Sequence, residues 1–90
     1  MILTTKTKQH LKAKAHALHP IIIIGNQGLT TAVNKEIERA LQDHELIKIR
    51  LGTIDKITRK TLATQISEEH QAILLQLIGH IGIFYRKKSS

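Results

Sequence analysis

Ninety residues carrying 14 lysines and arginines against 7 aspartates and glutamates, a net charge of +7 and no cysteine make one small basic domain, residues 1–90, with room for a single core and none for a substrate pocket between lobes. The missing cysteines exclude disulfides, iron–sulfur clusters, thiol catalysis and cysteine zinc sites. No run approaches the roughly 20 apolar residues of a membrane span, and the first residues lack the apolar stretch of a secretory signal, so a cytoplasmic protein with no membrane partner is expected.

In chain order, the first element is a helix from about Thr5 to Leu18, with Thr4 or Thr5 as N-cap and Leu11, Ala15 and Leu18 on one face. Lys8 and Lys12 flank that apolar stripe on one side and Lys14 on the other. Pro20 ends the helix. Ile21 to Ile24 are four β-branched residues in succession, which predicts a central strand buried on both faces. The strand runs into Gly25-Asn26-Gln27-Gly28, a GxxG loop at the start of a second helix. That helix is capped by Thr30 or Thr31, and Val33, Ile37, Ala40 and Leu41 repeat along it at helical spacing.

Leu46 to Leu51 alternates, with Ile47, Ile49 and Leu51 on one face and Leu46, Lys48 and Arg50 on the other. Strand, helix and strand in this order predict a parallel crossover. A turn over Gly52 to Asp55 leads into a third helix ending near Glu69, with Leu62, Ala63 and Ile66 inward. Its first turn holds Lys56, Arg59 and Lys60, where the helix dipole disfavours cations by about 0.3–1 kcal/mol each, so these residues are candidates for ligand contact. Ile73–Ile78 and Ile81–Arg86 predict a hairpin turning at Gly79-His80, followed by a frayed basic tail from about Lys87.

Charge is segregated: no Asp or Glu occurs before Glu36 or after Glu69, so both flanks are purely basic and a polyanionic partner is expected. Aromatic residues are confined to the adjacent Phe84 and Tyr85, too few for a base-stacking platform, which leaves phosphate and shape contacts. Within the GxxG loop the glycines permit positive φ and close approach of a phosphate, and the following helix offers unpaired amides. Asn26 and Gln27 are neutral, so surrounding cations must supply the attraction.

The six histidines, at 10, 16, 19, 44, 70 and 80, lack metal-ligand spacing and read as solvated or phosphate-contacting side chains. No Ser–His–acid set or GxxxxGK[ST] motif is evident, and the carboxylates mostly read as solvated positions. Neither catalysis, metal binding, a cofactor nor a small-molecule substrate is expected.

Several segments together resemble a stand-alone CRM domain of the YhbY family of RNA-binding proteins. They are Leu11-Lys12-Ala13-Lys14-Ala15-His16 through Pro20, Ile24-Gly25-Asn26-Gln27-Gly28-Leu29-Thr30, His44-Glu45-Leu46-Ile47-Lys48-Ile49, and Ile78-Gly79 with Phe84-Tyr85-Arg86. The resemblance implies an α/β domain similar to the C-terminal domain of translation initiation factor 3, with a four-stranded mixed sheet. Combined with the element order α-β-α-β-α-β-β, the expectation is a compact two-layer fold.

The resemblance also implies association with precursors of the large ribosomal subunit, no enzymatic activity, and RNA contacts on Gly25 to Gly28 and neighbouring basic residues, with Lys48 and Arg86 at matching positions. Two departures stand out: Asn26 replaces a frequent loop lysine, and His70-Gln71-Ala72 replaces a small or glycine-rich turn. The expected function is therefore binding of ribosomal RNA by a monomer that assists large-subunit assembly. Its contacts are Lys8, Lys12, Lys14, Gly25, Asn26, Gln27, Gly28, Lys48, Arg50, Lys56, Arg59, Lys60 and Arg86. A protein-docking module on the ribosome and a small RNA-processing enzyme are the rival readings.

Overall fold

The computed structural model describes residues 3–52 and 55–88. Thr53 and Ile54 of the expected turn, and Ser89 and Ser90 of the tail, lie outside the described residues. The elements run α1 (Thr5–Ala15), β1 (Ile22–Ile23), α2 (Thr31–His44), β2 (Leu46–Arg50), α3 (Lys56–Glu69), β3 (Ile73–Ile78) and β4 (Ile81–Tyr85). Each helix starts on a side-chain cap. The Thr4 hydroxyl accepts from the Thr7 amide at 3.1 Å, the Thr30 hydroxyl from the Val33 amide at 3.2 Å, and the Asp55 carboxylate from the Thr58 amide at 2.9 Å.

The sheet order is β1-β2-β4-β3, with β1 parallel to β2 and the other pairs antiparallel. The parallel crossover is as expected; the central placement of β1 is not. β1 is an edge strand of two residues. Ile22 and Ile24 reach the core, whereas Ile21 and Ile23 are 52% and 67% exposed. Four consecutive isoleucines suggested burial on both faces, but only one face of this strand is covered.

That difference follows from the layering. Ile22, Ile24, Ile47, Ile49 and Phe84 pack with Ile37, Leu41, Ala63 and Ile66 of α2 and α3 on one face of the sheet. On the other face Leu46, Leu75 and Ile83 pack against Leu11 and Ala15 of α1. The alternation in β2 decides this, because Leu46 points away from Ile47 and needs its own cover. Helices therefore lie on both faces, correcting the expected two layers to three. A register shift between Leu74 and Gln76, where β3 meets β4, adds a bulge that lets both Leu74 and Leu77 reach the larger core.

Two glycines are required by packing. Gly82 lies beneath the fully buried ring of Phe84, and a Cβ there would sit 2.7 Å from the ring. Gly52 has φ +75°, and a Cβ would sit 2.7 Å from the Ile24 carbonyl oxygen. The end of β2 thus passes against the backbone that enters the GxxG loop. Gly52→Ala is expected to lower stability by about 1–3 kcal/mol from the backbone conformation alone, with the carbonyl clash adding to it. Gly79→Ala, at φ +55° with no atom within 4 Å of the added Cβ, isolates the conformational part. Urea unfolding should rank Gly52→Ala clearly below Gly79→Ala; equal midpoints would mean the close approach contributes nothing.

Candidate nucleic-acid interface

Because β4 runs antiparallel to both β2 and β3, the carboxyl ends of β1, β2 and β3 meet at one end of the sheet. The GxxG loop, the β2–α3 connection and the Gly79-His80 turn converge there, and α2 and α3 begin there. Two hydrogen bonds join the latter segments: the Leu51 amide donates to the His80 carbonyl at 2.7 Å, and His80 Nδ1 contacts the Gly52 carbonyl. Gly25, Asn26, Arg50, Gly52, His80 and Ile23 line a shared hollow of about 330 Å³.

The loop closes as a turn in which the Gly28 amide donates to the Gly25 carbonyl at 3.1 Å. Of the two loop glycines only Gly28 takes positive φ, +70°; Gly25 does not, and the space around its absent side chain is open. The amides of Asn26, Gln27, Thr31 and Ala32 find no acceptor among the described residues. Those of Thr31 and Ala32 are donors at the positive end of α2, which suits an anion. Asn26 and Gln27 are exposed.

The expected contact residues divide by position. Arg50 is exposed beside the loop, and Lys48 stands two residues before it on the same face of β2. Lys48 is partly engaged, its Nζ donating to the Leu18 carbonyl at 3.0 Å, which leaves two of its three donors available. Lys14 lines a groove together with Lys48, and Lys8 and Lys12 belong to α1 on that same side of the sheet.

Lys56, Arg59 and Lys60 start α3 at the loop end, but α3 covers the opposite face. Arg59 is half-buried and already has a partner within the chain. The Asp55 cap, held below the usual carboxylate range by the Thr58 amide and hydroxyl, adds a negative charge to that first turn. His80 and Ile23 were missed as neighbours of the loop; a turn histidine and an exposed isoleucine carry no local signal of that proximity.

Arg86 departs most from expectation. It follows β4 at the far end of the sheet, where Tyr85 pairs with Leu46 and Ile73. Its guanidinium grips Glu38 in a fork, with Nη1 donating to Oε1 at 2.9 Å and Nη2 to Oε2 at 2.8 Å, and Nη1 also donates to the His70 carbonyl at 3.1 Å. His70 is likewise not the solvated imidazole expected. It is buried, with Nδ1 3.1 Å from Glu38 Oε1 and Nε2 2.9 Å from Asn34 Oδ1. The departure His70-Gln71-Ala72 thus replaces a plain turn with a polar clamp joining α2, α3 and the end of β4. The tail is tied down as well, since the Lys88 amide donates to Glu45 Oε2 at 2.7 Å, where fraying from Lys87 was expected.

The match to known proteins spans this whole arrangement. A family model for the CRS1/YhbY (CRM) domain matches residues 3–86. The chain belongs to the CRM domain family. This CRM domain is 45% identical to a protein of Haemophilus influenzae named an RNA-binding protein, over 93% of this chain and 85% of the relative. It is 39% identical to a Pseudomonas aeruginosa protein named a probable RNA-binding protein, over 97% of this chain and 84% of the relative. The solution structure of a hypothetical protein from Staphylococcus aureus, described as a candidate RNA binding protein, superimposes with a TM-score of 0.85 at 34% identity, covering 99% of this chain and 93% of that one. These names indicate RNA-binding proteins rather than enzymes.

The clamp at the far end of the CRM domain carries a pH signature. Hydrogen bonds from Arg86 and then His70 hold the Glu38 carboxyl down to about 2 from its ordinary 4.5. A depressed folded value gives a contribution that is full above the unfolded value of 4.5 and is lost as pH falls toward 2. The Glu38 side chain is 42% exposed, so solvent screening reduces the size of this effect. Urea midpoints measured through that window should fall for the native chain and fall less for Glu38→Gln. Parallel pH profiles would show that the fork does not contribute to folding.

Proposed function

We propose that this protein is a non-enzymatic RNA-binding domain that holds a sugar–phosphate backbone against residues 25–28 and the cationic face of β2 behind them. The observation that carries this reading is the meeting of the GxxG loop and the start of α2, where the Asn26, Gln27, Thr31 and Ala32 amides have no acceptor among the described residues, with Arg50 at one end of the sheet. The hollow that Asn26 and Arg50 share with His80 contains no carboxylate among the described residues. Backbone amides and a guanidinium suit phosphate oxygens, and they fix position without reading sequence. Membership of the CRM family and the names of the relatives support the same reading.

Phe84 is fully buried and Tyr85 half-buried against the α1 side of the sheet, so neither offers a broad open stacking face. Catalysis finds no support in the buried histidine, whose two ring nitrogens are both engaged. No group of three or more His, Asp or Glu able to hold a metal occurs among the described residues. The finer proposal follows the resemblance to stand-alone YhbY proteins: the RNA is ribosomal, within a large-subunit precursor, and the protein acts as a cytoplasmic monomer. Crosslinking in cells and sequencing the attached RNA tests that target directly. Association with the ribosome that survives nuclease digestion would favour the protein-docking reading instead.

Phosphate contact makes affinity depend on salt, with a slope of about −0.7 to −0.9 per contact according to strandedness. Arg50→Gln should therefore reduce the magnitude of the slope for a ribosomal RNA fragment by roughly 0.7 to 0.9. Gly25→Val should fold normally, since nothing lies within 4 Å of the added Cβ, yet bind more weakly because the approach to the loop is obstructed. Salt-independent binding, or full affinity in folded Gly25→Val, would defeat the placement of the backbone at this loop.

A further inference from the structure

The same side of the sheet holds a second hollow, at the opposite end of β1 from the GxxG loop. α1 packs on Leu46, Leu75 and Ile83 but leaves β1 uncovered, and the residue 16–20 connection then crosses to the sheet edge. Between them lies a groove of about 420 Å³, floored by apolar side chains that include Leu18, Ile21 and Leu46. Its volume is at the lower end of the roughly 300–1,000 Å³ of small-ligand sites. Leu18 and Ile21 are 38% and 52% exposed, so apolar area stands open to water.

The formal charge on the groove has one sign. Lys14 and Lys48 supply it, the imidazoles of His19 and His44 stand beside them, and no carboxylate lines the groove among the described residues. The bond from Lys48 to the Leu18 carbonyl fixes the wall formed by the connection and leaves that ammonium further donors. An occupant should therefore combine a flat apolar body with adjacent negative charge.

Ile23 lies two residues beyond Ile21 along the chain and lines the loop hollow with Arg50. Lys48 and Arg50 keep the same two-residue step on β2, about 6.6 Å along a strand. A nucleic-acid backbone following this edge passes both cations between one hollow and the other.

We propose that this groove is a nucleobase pocket, receiving one unstacked base of the bound RNA while Lys14 and Lys48 hold the phosphates beside it. The assignment rests on the RNA-binding reading and adds to it a second site, one that contacts a base rather than the backbone. Imidazole faces and aliphatic walls can sandwich a base without a Phe, Tyr or Trp platform.

The test measures binding of the full chain to labelled hexaadenylate and hexauridylate by fluorescence anisotropy, and to the same strands with one abasic ribose moved through successive positions. Loss of the base at one position should weaken binding on the order of tenfold, in the range of stacking contributions, with smaller losses elsewhere. Ala17→Trp, which fills the groove from an exposed position, should abolish that position dependence and leave the salt slope unchanged. Should circular dichroism show Ala17→Trp unfolded, the exposed pair His19→Ala and His44→Ala should reduce the abasic penalty instead.

Equal affinity for every abasic strand, alongside salt-dependent binding of the intact ones, would overturn the pocket and leave the backbone reading standing. No binding of any strand even at low salt would overturn both. If Ala17→Trp spared the oligonucleotide isotherms but abolished capture of nuclease-treated ribosomal proteins, the groove would belong to a protein and the assignment would be wrong.

Discussion

The candidate interface depends on the parallel pairing of β1 with β2. Pairing Ile22 with Ile49 and Ile23 with Arg50 brings the exit of β1 beside the exit of β2, and the antiparallel β4 returns β3 to the same end. Only this register places the GxxG loop next to Arg50 and the Gly79-His80 turn. The pairing is short, so it is reinforced from outside the strand: the Ile21 amide donates to the Lys48 carbonyl at 3.2 Å and the Ile24 amide to the Arg50 carbonyl at 2.8 Å. Gly52 then lets the β2 backbone pass close to Ile24. Stability and site geometry are joined in these few residues, since the core side chains Ile22 and Ile24 alternate with the exposed Ile21 and Ile23.

The unequal cover of the two sheet faces produces the rest of the surface. α2 and α3 together seal one face around Phe84, while α1 alone serves the other and reaches β2, β3 and β4 but not β1. What remains open is an apolar strip bordered by lysines, an arginine and histidines. Such a surface costs stability as a fold feature, because buried isoleucine contributes about 1.5–3 kcal/mol and the exposed ones forgo part of it. Exposed isoleucines beside cations are a common physical character of interaction surfaces.

Periodic signals in the sequence carried most of the element pattern. Val33, Ile37, Ala40 and Leu41 marked α2, alternation over Leu46–Leu51 marked β2, and Gly79-His80 marked the hairpin, all found in place. The failures share one physical origin, which is that local pattern is blind to distant partners. Four isoleucines say that a segment prefers strand geometry, not whether a helix covers its second face. Arg86 reads in the sequence as a basic position like the others, because its partner Glu38, 48 positions earlier, exerts no influence on local composition. His70 was misread for the same reason. Lys48 and Arg50 were legible as a basic strand face, whereas the neighbourhood of Arg50 with His80 exists only once the sheet is assembled.

The strand pattern also decides what the two edges of the sheet offer to a further strand. Unpaired sheet edges are templates for further strands, and both edges of this sheet are poor ones. β1 offers two residues, too few to align an incoming chain, and β3 carries a register shift between Leu74 and Gln76 that bends its backbone out of regular pleat. A protein that leaves isoleucines open along one edge would otherwise invite stacking into ribbons at cellular concentrations. A two-residue edge strand leaves the isoleucines exposed while withholding the continuous row of amides and carbonyls that strand addition requires.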